Sequence, residues 1–332
     1  MRCLLAAVLL FAAGPSAHAE PVRLRVGTIT PEGSPYFEAA RVTLRRIAAN
    51  SRRGVDFRLM GGGSFGDEQT LIEEVRKGVL EATAVTSTAA EAIVPELSVF
   101  SLPYLFRDGA EADQVIDRVF PQLAELFERR GYWLMAHTMV GFRHIGSARP
   151  IRSLEDLRGV VARSQPGPLH ARMWELLRVP HRPLGQLEVM GQLESGAVTG
   201  FDGSIPWIFA AAWHTRIKHL TLTGHMYQPG FMFMGPKGLA AMPQGLKRAA
   251  LMNGLLPLCR QANLASRKVE AELLRVLPGT GVTVTEPPVA LVGELRATLL
   301  PVHEEWKRRA SPEGAALLAA VERELERLRK SR

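Results

Sequence analysis

Cysteine is almost missing: the 332 residues hold two, Cys3 and Cys259. Cys3 belongs to an N-terminal stretch read below as a leader, so one thiol is left. That excludes an internal disulfide and a cysteine-built metal site, and Cys259, inside a helical pattern, reads as a small core residue. Histidines are as thinly spread. His137, His144, His170, His181, His214, His219 and His225 show no HxxxH or HExxH spacing, so no metal site is expected. The run Gly61-Gly62-Gly63 lacks the Lys-Ser/Thr of a phosphate loop and reads as a turn. With no nucleophile–base pair in sight, neither an enzyme nor a cofactor is expected. Long apolar runs are wanting too. Past residue 19, none approaches the roughly eighteen residues of a membrane span.

Acids are the scarcer charge, 33 against 41 Lys and Arg, for a formal net charge of +8. The basic residues are scattered rather than gathered in an aromatic-laced stripe, so nucleic acid is not the expected partner. A positive field suits anionic solutes instead. Residues 1–19 join a basic start (Met1-Arg2) to an apolar core (Cys3 to Ala13) and a small-x-small site, Ala17-His18-Ala19. That is the pattern of a secretory signal peptide, so an exported protein starting near Glu20 is expected.

What the sequence does contain is a strand–helix rhythm. Leu24–Thr28, Val55–Leu59 and Ala82–Val85 read as strands, with helical spacing over 36–50 and 68–78 between them. This predicts an α/β protein with a mostly parallel sheet. Asp108 with Glu111 and Ser153 with Asp156 mark helix starts, as does Ser311-Pro312-Glu313. Further strands are expected at Leu134–Val140, Gly159–Arg163 and Val282–Val284, and an apolar one holds Met226, Phe231, Met232, Phe233 and Met234. One long helix runs from about 243 to 277, interrupted at Gly254 and Pro257, where proline predicts a kink. Two lobes with crossovers between them fit this order better than two sequential domains.

Two arginines stand at strand ends. Arg163 closes Val160-Val161-Ala162, and Arg143 follows Met139, Val140 and Phe142 twenty residues earlier. Such a fork of donors matches a carboxylate in bidentate fashion. His144 and Arg149 are alternatives to Arg143 at the same site. Asp202 reads as a partner for Arg143 or Arg163, as an acceptor for a ligand donor, or as a solvated loop acid. Glu68 is either a pocket acid or a first-turn acid favoured by the helix dipole. Trp207 and Trp213 either wall a pocket or pack a hinge.

Five blocks in order resemble the solute-binding subunits of tripartite ATP-independent periplasmic (TRAP) transporters, the DctP-like family. They are Gly66-Asp67-Glu68 with Gly78; Ser101-Leu102-Pro103-Tyr104-Leu105-Phe106; Arg149-Pro150-Ile151; Asp156-Leu157-Arg158-Gly159-Val160-Val161-Ala162-Arg163; and Glu188-Val189 with Leu193 to Gly200. The resemblance implies a two-lobed clamp joined by crossover strands and a long, kinked connecting helix, lobe I being 20–140 plus 229–268 and lobe II 141–228 plus 269–332. It aligns Arg163 with the arginine that salt-bridges the solute carboxylate and Arg143 with a supporting one. Glu68 and Thr86 match pocket positions of the first lobe, and His225 falls where the chain returns to it. The sequence departs from the family at Gly203, which lacks an orienting amide side chain, and at Gln186, where some members carry an aromatic. The implied function is a periplasmic receptor, monomer or homodimer, that delivers a small organic acid to membrane permease subunits. A ligand sensor docking on a signalling receptor is the second reading.

Overall fold

In this computed structural model, residues 20–50, 54–242 and 255–331 are described. The leader and Gly254 lie outside them.

The first lobe starts as the rhythm predicts. Strands β1 (Val22–Thr28) and β2 (Val55–Met60) run parallel from Val22↔Val55 to Gly27↔Met60, joined by helix α1 (Pro35–Asn50). Helix α2 (Glu68–Lys77) is capped by the Asp67 carboxylate, which accepts from the Glu68 amide, and closed by Gly78 at φ +70. It leads to β3 (Ala82–Thr86), parallel to β1. A short helix, α3 (Ser87–Ala90), follows directly. Helix α4 (Gly109–Arg129) then covers the sheet, its start capped by Asp108 as expected.

Two strands prove far longer than their apolar runs suggested. Strand β4 covers Trp133–Ser147. Its second half pairs with β7 (Gly200–Ser204), which is flanked by β5 (Ala162–Ser164) and β6 (His181–Pro183). Strand β8 (His219–Met234) lies antiparallel to β4, with β3 on its last residues and β9 (Thr283–Thr285) on its first. The resulting order, β2-β1-β3-β8-β4-β7-β5-β6, makes β4 and β8 a shared spine with parallel strands hung at both ends. These are the expected crossover strands. Their register shifts between Met139 and Gly141, where Gly141 takes φ +118, a conformation side chains disfavour.

Between the strands of the second half lie helices α5 (Leu154–Leu157), α6 (Pro168–Leu176), α7 (Val189–Glu194) and α8 (Ile205–Ala210), and Ser153 with Asp156 forms the predicted capping box before α5. A short helix, α9 (Pro236–Ala241), leaves β8. The long connecting helix is α10 (Leu255–Val276), which packs on α1, α4, β4 and α8 and so touches both halves. Pro257 sits in its first turn, where a missing N–H costs no helical bond, and the helix runs on to Val276. The stretch 243–254, where the helix was expected to start, lies outside the described residues.

Helix α11 (Val289–Arg309) bridges the halves: Glu305 binds Arg172 of α6, while Trp306 Nε1 donates to Ser98 Oγ at 2.8 Å. Helix α12 (Pro312–Lys330) packs on α4, its Arg329 bound to Glu111 at 2.8 Å. We propose the lobe division read from the sequence with this amendment: α12 goes with lobe I, because its apolar face is buried there.

Candidate functional site

Arg163 is the middle residue of a three-residue strand whose side chains are all buried. It is 0% exposed, yet its bonding is incomplete. Nε donates to the Leu184 carbonyl at 3.0 Å, and the guanidinium lies 5.4 Å from the centroid of the Trp213 ring. Among the described residues, both terminal nitrogens, Nη1 and Nη2, have no hydrogen-bond partner. Burial, helped by the charge of Arg143, pushes its pKa down to about 9, which still leaves a cation at neutral pH. Unpaired buried donors are costly, more so when charged. The strand therefore holds a buried charge two of whose donor nitrogens are unpaired.

Arg143 is the opposite case. On β4 at 1% exposure, its Nε binds the Asp202 carboxylate and Nη2 donates to the Asp202 carbonyl at 2.8 Å. Nη1 donates to Gln165 Oε1 at 2.8 Å and to Gln228 Oε1 at 2.7 Å. Burial opposes ionisation of Asp202, but Arg143 and the nearby His225 outweigh it and hold the carboxyl well below its usual range. Of the three readings of Asp202, the ion pair with Arg143 is the one present, and its Oδ1 stays unpartnered. His144 and Arg149 do not share this site. His144 Nδ1 accepts from the Gly224 amide at 3.1 Å, burial pushing its pKa down to about 3, and Arg149 is exposed.

Glu68, the first residue of α2, faces inward. Its carboxylate accepts from the Thr86 amide at 2.6 Å and from Thr86 Oγ1 at 2.8 Å. Burial pushes its pKa up to about 7. A carboxyl raised in this way gives stability that is fully present below its unfolded value near 4.5 and is lost as pH rises through 7. Glu68→Gln is therefore expected to flatten the loss of stability between those pH values, on the order of 3 kcal/mol. Urea unfolding at pH 4.5 and 7.5 checks this, and an unchanged slope contradicts it.

The lobes meet across this site. Gln165 Nε2 donates to Thr86 Oγ1 at 3.1 Å, His170 Nε2 lies 3.0 Å from Thr88 Oγ1, and the Leu187 amide donates to Asp67 Oδ2 at 3.1 Å. These bonds join the two lobes across the site. Between the lobes is a cavity of about 90 Å³, lined by polar and apolar side chains alike. Arg163, Arg143, Glu68, Thr86, Gln186, Asp202 and Gly203 all line it; His225 does not. That imidazole sits behind Asp202, Nε2 at 3.4 Å from Oδ2, with Nδ1 at 2.8 Å from Thr223 Oγ1. It supports the carboxylate rather than facing the cavity. Gln186 presents an unpartnered Oε1. A side chain at Gly203 would meet Ile208 at 3.2 Å and Trp213 at 3.5 Å, so glycine keeps the wall under Arg163 open. Trp207 and Trp213 both line the cavity and pack edge to face on each other, so they wall the pocket.

Sequence reasoning missed Gln165 and Gln228, which saturate Arg143. A signal existed for Gln228, a polar residue inside the apolar run of β8. Cys259 is buried as expected but also borders the cavity. Ser64 sits in Gly62-Gly63-Ser64-Phe65-Gly66, which spells a nucleophile elbow, but it is exposed in a run of turns before α2.

A family model described as bacterial extracellular solute-binding protein, family 7 (DctP), matches residues 26–309. The chain belongs to that family. It is a family of solute-binding proteins of transporters, not enzymes, and the TRAP resemblance carried by the five sequence blocks is borne out. A solute-binding protein of Verminephrobacter eiseniae is 29% identical over 249 residues, 68% of this chain and 74% of its own. The sugar acid binding protein DctPAm of Advenella mimigardefordensis, solved with galactonate, superposes with a TM-score of 0.84 at 23% identity, covering 92% of this chain and 99% of that one. A TRAP periplasmic solute binding protein of Desulfovibrio salexigens, solved with orotic acid, reaches 0.85 at 19% identity over 92% and 99%. The fold is thus the two-lobed one of these solute-binding proteins.

Proposed function

We propose that this protein binds a small organic acid in the periplasm, holds its carboxylate on Arg163 between the closed lobes, and delivers it to a membrane permease of the TRAP type. The supporting observation is the pair of Arg163 nitrogens that have no partner among the described residues, fixed in the wall of the cavity between the lobes. A carboxylate supplies the two acceptors this fork lacks, and each charge-assisted bond contributes about 1.5–3 kcal/mol. Arg143 positions Asp202, whose free Oδ1 then accepts from a donor on the same ligand. Galactonate and orotic acid, held by two structural relatives, are both acids.

Thermal unfolding against mono- and dicarboxylates, hydroxy acids and aromatic acids tests the binding. A ligand at a hundred times its dissociation constant is expected to stabilise by about 2.7 kcal/mol. A panel in which only uncharged solutes stabilise contradicts the reading. Delivery is tested by uptake of the labelled acid in cells with and without this protein, which is expected to be lost without it.

Closure supplies a further prediction. A Cβ at Gly185 would lie 2.1 Å from Asp67 Oδ2, the atom that accepts from Leu187 and ties the lobes together. Gly185→Ala is expected to speed ligand release about tenfold while shifting unliganded stability by under about 1 kcal/mol. Stopped-flow release alongside a melt checks this, and an unchanged off-rate contradicts it.

A further inference from the structure

The cavity does not end at its charged wall. From Arg163 it continues into lobe I, between the sheet and helices α1 and α10. The floor there is a row of three residues in register across β3, β8 and β4: Ala84, Met232 and Ala136. The roof is Ala40 from α1 with Cys259 and Ala262 from α10. Five of these six side chains are small, so the space over Met232 stays unfilled. Ala40, Ala84 and Ala262 are only half-buried although they lie inside the sandwich, because they face that space.

The floor and roof of the chamber carry no side-chain nitrogen or oxygen. Thr43 Oγ1 donates to the Ala39 carbonyl at 2.9 Å, Tyr36 donates to the Val140 carbonyl at 2.6 Å, and Thr28 and Thr30 pair with each other at 3.1 Å. Those polar groups of the lining are spent within the protein. Among the described lining residues, the polar side-chain atoms without a partner are on Arg163, Gln186 and Asp202, with Ser204, Trp207 and His137; none belongs to the six residues of floor and roof. A polyhydroxylated chain lodged between floor and roof loses its bonds to water against six side chains that hold no nitrogen or oxygen, whereas an apolar group loses nothing and fills a void.

We propose that the acid held by Arg163 carries a compact apolar tail, branched alkyl or aryl, which lodges in this chamber, with one hydroxyl beside the carboxylate for Asp202. This rests on the carboxylate reading of Arg163 and names the class of acid within it. Three acids that share a 2-hydroxy acid head separate the possibilities: 3-phenyllactate with an apolar tail, lactate with almost none, and gluconate with a hydroxylated one.

Calorimetric titration of the purified protein is expected to show 3-phenyllactate binding at least thirtyfold more tightly than gluconate or lactate. Ala40→Leu, which fills the chamber, is expected to weaken 3-phenyllactate at least tenfold and to leave lactate within twofold. Ala262→Leu fills the same space from the other helix and serves where Ala40→Leu fails to fold. Equal or tighter binding of gluconate, with binding still lost in Arg163→Ala, overturns the apolar-tail inference and leaves the carboxylate reading standing. Binding of all three acids that survives Arg163→Ala overturns the carboxylate reading, and the tail inference with it.

Discussion

Arg163→Ala is expected to abolish acid binding while leaving the unliganded protein as stable as before, or more so. The two effects have one cause. The guanidinium is fully buried, its terminal nitrogens have no partner among the described residues, and it gives the fold one bond to Leu184, the contact to Trp213 and the attraction of Asp202, Asp67 and Glu68. Removing it relieves a buried charge whose donors are unpaired, a burden of about 1–3 kcal/mol or more, at the expense of one hydrogen bond of about 1 kcal/mol, that attraction and some packing. Binding loses two charge-assisted bonds, about 3–6 kcal/mol together, or roughly a hundredfold to more than ten-thousandfold in affinity. Arg163→Lys keeps the charge but not the fork, and is expected to recover only part of this. A variant that melts several degrees lower and still binds would mark Arg163 as a structural residue.

Arg143→Leu is expected to act the other way round, destabilising the protein by about 3–5 kcal/mol. Its guanidinium serves the Asp202 carboxylate and carbonyl together with both glutamine side-chain oxygens. Deleting it leaves a 0%-exposed carboxylate with only His225, 3.4 Å away, beside it. Arg143→Leu combined with Asp202→Leu removes both charges and is expected to recover more than half of the loss. Urea denaturation of the single and double variants checks this; a loss below about 1 kcal/mol in the single variant contradicts it. The two arginines, alike in sequence, therefore divide the work: one holds the wall together and the other is left free.

The parts of this fold that alternate locally were legible in the sequence. Strands β1 to β3 and helices α1 and α2 fall within two residues of their expected bounds, because period and caps are local signals. The long strands were not legible at full length. Residues 141–147 mix Gly, Arg, His and Ser without alternating, and their extended form is imposed by pairing with β7; residues 219–223 do alternate Leu with Thr, but Gly224 and His225 part them from the apolar run that follows. At the site, seven of the eight residues named from the sequence meet in one cavity, and His225 stands behind it. What the sequence withheld was the division between satisfied and unsatisfied groups, since Gln228 reaches Arg143 through the pairing of β8 with β4 and Gln165 from the end of β5. The apolar chamber was hidden for a similar reason. Ala40, Ala84 and Ala262 signal nothing singly, and the void exists only where three small residues from three elements face one another.

The most direct test is a structure of the protein with the tightest-binding acid from the melting screen. The account predicts one carboxylate, with its two oxygens about 2.7–2.9 Å from Nη1 and Nη2 of Arg163 and the bond from Arg143 to Asp202 unbroken. A carboxylate seated on Arg143 with Asp202 displaced, or an acid bound with both Arg163 nitrogens still empty, would contradict it.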